Sequence, residues 1–197
     1  MAEKNAKKAS EKDIRHAVIV AAMALAAEKG WEGLSLRDVA REAGISIAAL
    51  YGVFEDKDDI LVALGREIDR AVLENISDYD ETTSVRDRLF DILMDRYDAL
   101  NDYRGGLCAV LESFKCDPKQ AVISFPHLCR SMNWMLEAAG VDTSGIKGAV
   151  KVAGLTGLYL KVLRVWKEDD SRDLAKTMAA LDKALGRAEN FVQSLGL

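Results

Sequence analysis

The segment from Ser35 to Phe54, SLRDVAREAGISIAALYGVF, places a glycine between two short stretches with helical spacing. Its first serine is followed three residues later by Asp38, which is the spacing of a capping box, so we expect a helix to begin directly after that serine. Gly44 supplies the left-handed backbone that ends such a helix, and Ser46 supplies a cap for the next one. Two helices joined by so short a turn predict a helix-turn-helix unit.

The region before this unit carries an apolar stripe that predicts one more helix. Its members recur at helical spacing and are Ile14, Val18, Ala21, Ala22 and Leu25. Three such helices form either a DNA-binding head, whose last helix enters the major groove, or a packed three-helix unit with no role in DNA binding. The residue pattern alone leaves both interpretations open.

With its flanks, the segment resembles the head of TetR-family regulators over about the first third of the chain. The residues that carry the resemblance are Ala40, Ala43, Gly44, Ile45, Ser46, Leu50, Tyr51, Phe54, Lys57 and Leu61. The resemblance implies an all-α fold of about nine helices. It places a three-helix helix-turn-helix head with a short basic N-terminal arm in residues 1–56. A larger helical body for effector binding and dimerisation follows in residues 57–197.

The same resemblance implies which side chains meet DNA. It assigns phosphate contacts to Ser35, Ser46, Tyr51 and Lys57, and base-facing positions to Ile47, Ala48, Ala49, Gly52 and Val53. The basic side chain of Arg37 lies in the same unit and joins these DNA-binding candidates.

The base-facing positions depart from the family pattern because they contain no Arg, Lys, Asn or Gln. Bidentate hydrogen bonding to base edges is therefore impossible from them, and only contacts with thymine methyl groups and the reading of DNA shape remain. Residues 1–54 hold eight Lys and Arg against seven Asp and Glu, a net charge of +1. We therefore expect weak nonspecific binding and a shallow dependence of affinity on salt.

The basic N-terminal arm contains Lys4, Lys7, Lys8 and Lys12. These side chains either reach DNA phosphates from a flexible segment or form a solvated, disordered terminus, and the sequence leaves both open.

Composition bounds the remaining classes of protein. The chain has 197 residues, 49% of them hydrophobic, a net charge of −5 and two prolines, which is typical of a compact helical protein. Its three cysteines favour a reducing, cytoplasmic location, and Cys116, His127 and Cys129 lack metal-ligand spacing. We expect no metal site and no cofactor.

Downstream of the head, a continuous helix is predicted from Lys57 to about Asp78, where it connects head and body. Ser84 then caps a further helix, and a shorter helix is expected around Leu107 to Cys116. Pro126 is predicted to break or kink the next helix, which ends at Gly140.

Two apolar stripes near the C terminus recur at steps of three and four residues, the spacing of a helix-helix seam. The first contains Val152, Leu155, Tyr159, Val162 and Trp166, and the second contains Leu174, Met178, Leu181, Leu185, Ala188 and Val192. They pair with their copies in a four-helix dimer interface, or they close the core of one chain. The resemblance favours the dimer, because two heads on successive major grooves need a fixed spacing.

The resemblance also implies a cavity in the body for a small apolar effector. The candidate lining residues are apolar, aromatic or polarisable: Leu93, Met94, Tyr97, Cys108, Leu111, Phe114, His127, Met132, Trp134 and Met135. Tyr97, His127 or Arg96 would orient the effector. Each of these residues also suits an ordinary core position.

The region from Val152 to Asp182 is in addition similar to the coenzyme-Q-biosynthesis lipid-binding proteins, which have a TetR-like fold. That similarity implies an alternative function, a lipid- or isoprenoid-binding protein that has lost DNA binding and assists quinone biosynthesis. The leading prediction is a homodimeric regulator, a repressor that binds an operator and is released by its effector.

Enzymatic and membrane functions are not expected. The chain has two histidines and no nucleophile, phosphate-loop or dinucleotide signature. Its longest apolar run, Ala17 to Ala27, is too short to span a bilayer, so no membrane insertion is predicted.

Overall fold

A computed structural model describes residues 2–76, 82–116 and 118–195, and the side chains of residues 11–76, 82–114, 122–190 and 192. Over these ranges the chain is all-α, which confirms the predicted fold class. The nine α-helices of the described ranges are α1 (Ala2–Lys29), α2 (Leu36–Glu42), α3 (Ile47–Tyr51), α4 (Lys57–Glu74), α5 (Val85–Ala99), α6 (Arg104–Cys116), α7 (Pro118–Ala138), α8 (Gly145–Lys167) and α9 (Ala175–Leu195). A 3-10 turn at Asn101–Tyr103 precedes α6.

The helices form two compact units. The first comprises Met1–Glu67 and Tyr103–Phe125, and the second comprises Ile68–Asp102 and Pro126–Leu197. The first unit is thus discontinuous in sequence, because α6 belongs with the helix-turn-helix segment and not with α5, which directly precedes it. The predicted boundary between a DNA-binding head and an effector-binding body, at residues 56 and 57, does not coincide with a boundary between the compact units. It remains a prediction about function.

The basic N-terminal residues form the beginning of α1, which starts at Ala2. The prediction of a flexible arm is therefore corrected. The segment from Ala2 to Lys8 consists almost entirely of Ala, Lys and Glu, which have high intrinsic helix propensity and extend the helix toward the N terminus. Farther along α1, the predicted stripe is confirmed, with Val18 and Ala22 fully buried.

Two helix boundaries differ from their predictions. Helix α4 ends at Glu74, so Ile76 is not part of it, and the predicted end at Asp78 lies outside the described residues. Helix α7 continues through Pro126, which excludes the predicted break, while the predicted kink remains a prediction. Gly140, with a φ of 81°, follows α7 and confirms the predicted glycine stop.

The loop before α9 is organised by the buried carboxylate of Asp169. Its oxygens accept hydrogen bonds from the backbone N–H of Ser171 (3.1 Å) and of Thr177 (2.7 Å) and from both hydroxyls. Burial raises the pKa of this carboxyl, but the hydrogen bonds from Ser171 and Thr177 outweigh it and hold the pKa below its usual range. The Asp169 carboxylate thus caps α9 from within the protein, although another carboxylate, that of Asp170, adjoins it in sequence.

The two C-terminal helices pack against each other within one chain, and α9 also packs against α5. Seven residues of the two predicted seams are at most 6% exposed in the single chain, namely Leu155, Tyr159, Val162, Trp166, Leu174, Leu181 and Leu185. Leu174 precedes α9 as a left-handed residue with a φ of 53°. These side chains close the core of the chain's own second unit, which was the alternative left open by the sequence. They are not available as a dimer seam.

Helices α1 and α6 cross at close range in the first unit. A Cβ atom added at Gly106 would lie 2.4 Å from the backbone oxygen of Met23, and one at Gly105 would lie 3.0 Å from the Cβ of Ala27. The two glycines therefore permit a backbone approach that side chains would prevent. No helix in the described ranges is long and apolar enough to cross a membrane.

We expect Gly106→Ala to lower the free energy of unfolding by about 1–3 kcal/mol, because the new methyl group overlaps the backbone of Met23 and forces α6 away from α1. Urea denaturation followed by circular dichroism measures this change. Gly65→Ala in α4 is the matched control, because a Cβ there meets nothing within 4 Å and alanine favours the helix by about 0.5–1 kcal/mol. Equal effects of the two substitutions would contradict the close crossing.

Candidate nucleic-acid interface and effector site

The helix-turn-helix is built by two serine caps. The Ser35 hydroxyl oxygen accepts a hydrogen bond from the N–H of Asp38 at 3.2 Å, and that of Ser46 accepts one from the N–H of Ala49 at 3.1 Å. Gly44 lies between the two helices with a φ of 67°. Both predicted caps and the glycine turn are therefore confirmed, and together they fix where α2 ends and α3 begins.

Helix α3 has a buried side and an exposed side. Leu50 and, after the helix, Phe54 are almost fully buried in the first unit. On the other side Ile47 is 53% exposed and Tyr51 is 77% exposed. The remaining base-facing candidates, Ala48 and Gly52, are exposed as well, whereas Ala49 and Val53 are half-buried. The exposed side of α3 is therefore almost entirely apolar.

Two of the four side chains predicted to contact phosphates already form hydrogen bonds within the protein. The Lys57 ammonium donates to the backbone oxygens of Trp31 (3.2 Å) and Leu34 (3.0 Å) and lies 5.7 Å from the centre of the Trp31 ring. The Ser35 hydroxyl donates to the Asp38 carboxylate at 2.7 Å. Lys57 retains one N–H for a further partner, whereas Ser35 has no donor left. Phosphate contacts by these two residues remain predictions that the geometry does not favour.

The other phosphate candidates keep a free donor. The Ser46 oxygen accepts from the backbone and leaves its proton available, and the exposed Tyr51 hydroxyl donates to no residue in the described ranges. Arg37 is exposed and forms no ion pair with a residue that the structure describes, whereas Arg41 pairs with Asp38 at 2.8 Å. Ser46, Tyr51 and Arg37 are thus the groups with donors that face solvent.

Sequence reasoning missed the polar groups that fix the start of α4. The Asp56 carboxylate accepts from the N–H of Asp59 at 3.0 Å, and the Asp59 carboxylate accepts from the N–H of Glu55 at 2.9 Å. The signal was present in the sequence, because an acidic residue with another three positions later is a capping pattern. An open cleft of about 360 Å³ lies beside this point and is lined by residues 34–36 and 56–58.

The effector candidates divide between the two units. Cys108, Leu111 and Phe114 belong to the first unit and are half-buried. The others belong to the second unit, where Leu93, Tyr97, Met132 and Met135 are fully buried, Met94 and His127 are half-buried, and Trp134 is 55% exposed. The exposure of Trp134 does not suit a residue that lines an internal cavity.

A buried polar network lies among the second-unit candidates. The Arg96 guanidinium forms an ion pair with Asp69 at 3.0 Å and donates to the Tyr159 hydroxyl, and its centre lies 4.9 Å from the centre of the Tyr159 ring. Asp69 also accepts a hydrogen bond from Ser131 at 2.5 Å. The network thus joins α4, α5, α7 and α8 through charged and polar side chains.

Tyr97 extends this network along α5. Its ring stacks on that of Tyr159 with 4.9 Å between centroids, and its hydroxyl donates to the backbone oxygen of Tyr159 at 2.9 Å. Burial raises the pKa of Tyr97 and that of Tyr159 above the usual range, so both remain neutral phenols. Burial also works against the charge of Arg96, but Tyr159 and Asp69 more than compensate, and the pKa of Arg96 rises.

No group of three or more His, Cys, Asp or Glu side chains in the described ranges is arranged to hold a metal ion. The two candidate sites are therefore an exposed, capped helix in the first unit and a buried cation with aromatic neighbours in the second.

The first unit matches a known family. Residues 18–64 match the sequence model of the bacterial regulatory proteins of the tetR family. The HTH-type transcriptional repressor KstR of Mycolicibacterium smegmatis is 36% identical over 62 residues, which make up 31% of this chain. The match spans only 30% of the length of that repressor, so the likeness concerns only a part of each chain.

Similar solved structures extend the likeness to the whole fold. A TetR transcriptional regulator from Nitrosomonas europaea has a TM-score of 0.72 at 24% identity, over 89% of this chain and 97% of that one. A TetR regulator from Rhodococcus sp. RHA1 has a TM-score of 0.59 at 22% identity. NalD, the secondary repressor of the MexAB-OprM efflux pump of Pseudomonas aeruginosa, has a TM-score of 0.56 at 20% identity. Each of these two matches covers 89% of this chain and 96% of the other. The chain therefore has the TetR fold.

We expect Asp69→Asn to lower the free energy of unfolding by about 3 kcal/mol, because it leaves the buried Arg96 guanidinium without a counter-ion. Urea denaturation at fixed protein concentration measures the loss. Glu11→Gln is the control, since it removes the exposed ion pair with Arg15, and such pairs contribute about 0–1 kcal/mol. A loss at Asp69 no larger than that at Glu11 would show that the buried pair does not hold the helices together.

Proposed function

We propose that this chain, whose helix-turn-helix region matches the tetR family and whose fold is that of TetR regulators, is a DNA-binding transcriptional regulator. One observation carries the proposal. Helix α3, which begins after the Ser46 cap and lies within the matched residues 18–64, exposes Ile47 and Tyr51 to solvent. A helix held in this way by a helix-turn-helix enters the major groove of DNA. The alternative of a lipid-binding protein of quinone biosynthesis gains no support from the relatives found, which are regulators.

The proposed contacts with DNA follow from the free donors. Arg37, Ser46 and Tyr51 hold phosphates, since each has a donor that the fold does not use. Lys57 contributes mainly by holding the start of α4 against the segment before α2. The bases face Ile47, Ala48, Ala49, Gly52 and Val53, with the first two and Gly52 the most accessible.

Repression is the proposed sign of regulation. KstR and NalD, two of the proteins that this chain resembles, are named as repressors. In this proposal the chain acts in the cytoplasm as a homodimer on an operator with two half-sites, and a small apolar effector releases it.

The proposed effector site lies in the second unit. Leu93, Tyr97, Met132 and Met135 supply apolar and aromatic surface, and Arg96 supplies a polar group that orients the effector. Helix α4 contributes Lys57–Glu67 to the first unit and continues into the second, where Asp69 pairs with Arg96. An effector that competes for the Arg96 guanidinium would shift the population of α4 positions, and a coupling of about 1–3 kcal/mol suffices for a 5- to 150-fold change in affinity.

The proposed dimer face is the outer side of α8, because its inner side closes the core of the same chain. Ile146 is 86% exposed and Val150 is also exposed, and they share a face with Gly154 and Gly157. A Cβ at either glycine would meet nothing within 4 Å, so the backbone there lies open to a partner helix. Met178 on α9, one of the predicted seam residues, is a further exposed apolar side chain.

The proposed function is tested by titrating a fluorescent duplex from the region upstream of the chain's own gene, with scrambled duplex as competitor, at two salt concentrations. We expect saturable binding that the scrambled duplex does not displace. Arg37→Ala should weaken binding to all sequences and reduce the slope of log affinity against log salt by about 0.9, the value for one phosphate contact. Tyr51→Phe should also weaken binding uniformly, because it removes a single donor.

Arg172→Ala is the matched control for Arg37→Ala, since it removes the same charge at an exposed position of the second unit. Its salt slope should equal that of the unmodified protein. If both arginine variants reduce affinity equally, the effect comes from net charge and the assigned contact at Arg37 is wrong.

We expect Ile146→Asp to raise the dissociation constant of the dimer by about 100-fold, because an unpaired carboxylate would be buried between copies at a cost of about 3 kcal/mol. Sedimentation velocity across a concentration series measures this change. Val85→Asp is the control, since Val85 is also exposed but begins α5, where an acidic residue is well tolerated. A variant at Ile146 that remains as dimeric as the control would place the interface elsewhere.

A further inference from the structure

The exposed side of α3 is unusual for a surface that reads DNA. Ile47, Ala48 and Gly52 form it together with Tyr51, whose hydroxyl is the only side-chain hydrogen-bonding group among the four. Sequence-specific proteins usually read guanine with Arg or Lys and adenine with Asn or Gln. None of those side chains lies on this helix, so the usual bidentate reading of guanine and adenine is not available to it.

We propose that this face recognises the 5-methyl groups of thymines in the major groove, with Ile47 and Ala48 as the specificity-determining contacts and Gly52 as the point of closest backbone approach. The proposal rests on the DNA-binding function proposed above and names the feature of the operator that is read. It predicts an operator half-site whose central thymines are distinguished by their methyl groups.

The exposure of Ile47 supports this choice. More than half of its surface faces solvent at the first residue of α3, although the opposite side of the helix packs Leu50 into the core. Among the groups on base edges in the major groove, the thymine methyl is the apolar one. Contact with it removes both apolar surfaces from water, which is the largest gain that an isoleucine at this position offers.

Gly52 supplies an independent observation. Its backbone is right-handed, with φ of −67° and ψ of −13°, so the conformation does not require glycine. A Cβ atom at this position would have its nearest neighbours at 3.4 and 3.6 Å, the backbone oxygens of Ala49 and Ala48, which are ordinary contact distances. The fold therefore accepts a side chain at an exposed position that has none. The missing side chain leaves room for a partner outside the chain, and the position faces the groove.

The experiment begins with selection of bound duplexes from a 30-base-pair random library by the full-length protein. The enriched duplex is then synthesised with deoxyuridine in place of each thymine in turn, which removes one methyl group and leaves the base-edge hydrogen-bonding groups unchanged. We expect uracil at the contacted positions to weaken binding about fourfold per methyl, and uracil at flanking positions to have no effect.

Protein variants connect the methyl groups to named residues. Ile47→Ala should weaken binding to the thymine duplex, and uracil at the position that Ile47 contacts should then cause little further loss. Gly52→Ala should keep the melting temperature equal or higher and still bind the thymine duplex less tightly. Val85→Ala, which shortens an exposed apolar side chain in the second unit, should retain both the affinity and the full uracil effect.

The outcomes separate the two proposals. Specific binding that uracil does not weaken at any position overturns methyl recognition and leaves the regulator intact. An equal uracil effect in Ile47→Ala and in the unmodified protein overturns the assignment to Ile47. A library from which no duplex is enriched overturns the DNA-binding function and this inference with it.

Discussion

The second unit depends on the ion pair between Arg96 and Asp69. A guanidinium buried to this extent is stable only if its charge is compensated, and here one carboxylate, one phenol and one aromatic face do so. The partners come from α4 and α8, and Ser131 of α7 completes the hydrogen bonding of Asp69. Because charged hydrogen bonds are directional, they fix the register of four helices that apolar packing alone would leave freer to slide.

The first unit uses its polar groups differently. Lys57 and Ser35, which the family pattern assigns to phosphates, are bound to groups of the protein itself. Few donors therefore remain for DNA, and the net charge of residues 1–54 adds little general attraction. In the proposed function, affinity for DNA comes mainly from the fit of the apolar face of α3. Such a protein discriminates between sequences more by contact and shape than by long-range electrostatics.

The sequence predicted the local structure well because caps and turns are decided within a few residues. Ser35, Gly44 and Ser46 each act on neighbours at most three or four positions away. The same applies to the stop at Gly140. Predictions that required long-range information were less successful. The heptad-like spacing around Tyr159 showed that one side of α8 is buried, but not whether it packs against its own chain or a copy.

Electrostatic roles were also hidden from the sequence. Asp169 lies next to another aspartate at the end of α8, where a solvated carboxylate is the ordinary expectation, yet it caps α9 from within the protein. Lys57 matches a family position, and only the fold reveals that two backbone oxygens hold its ammonium. In both cases the decisive partner is a backbone group, and the identities of residues do not reveal which backbone groups lack partners.

The close crossing of Gly106 over Met23 has a consequence for how such a protein is divided or recombined. Since the first unit contains Tyr103–Phe125 as well as Met1–Glu67, the unit that carries the helix-turn-helix is not contiguous in sequence. A fragment that stops after α4 would leave the α6-facing side of α1 uncovered. A chimera that exchanges only the N-terminal residues would pack a foreign α1 against α6, where Gly105 and Gly106 fit closely against Ala27 and Met23. Transfer of the intact first unit by recombination therefore requires α1 and α6 to be exchanged together, although 35 residues of the second unit separate the two parts of the first in sequence.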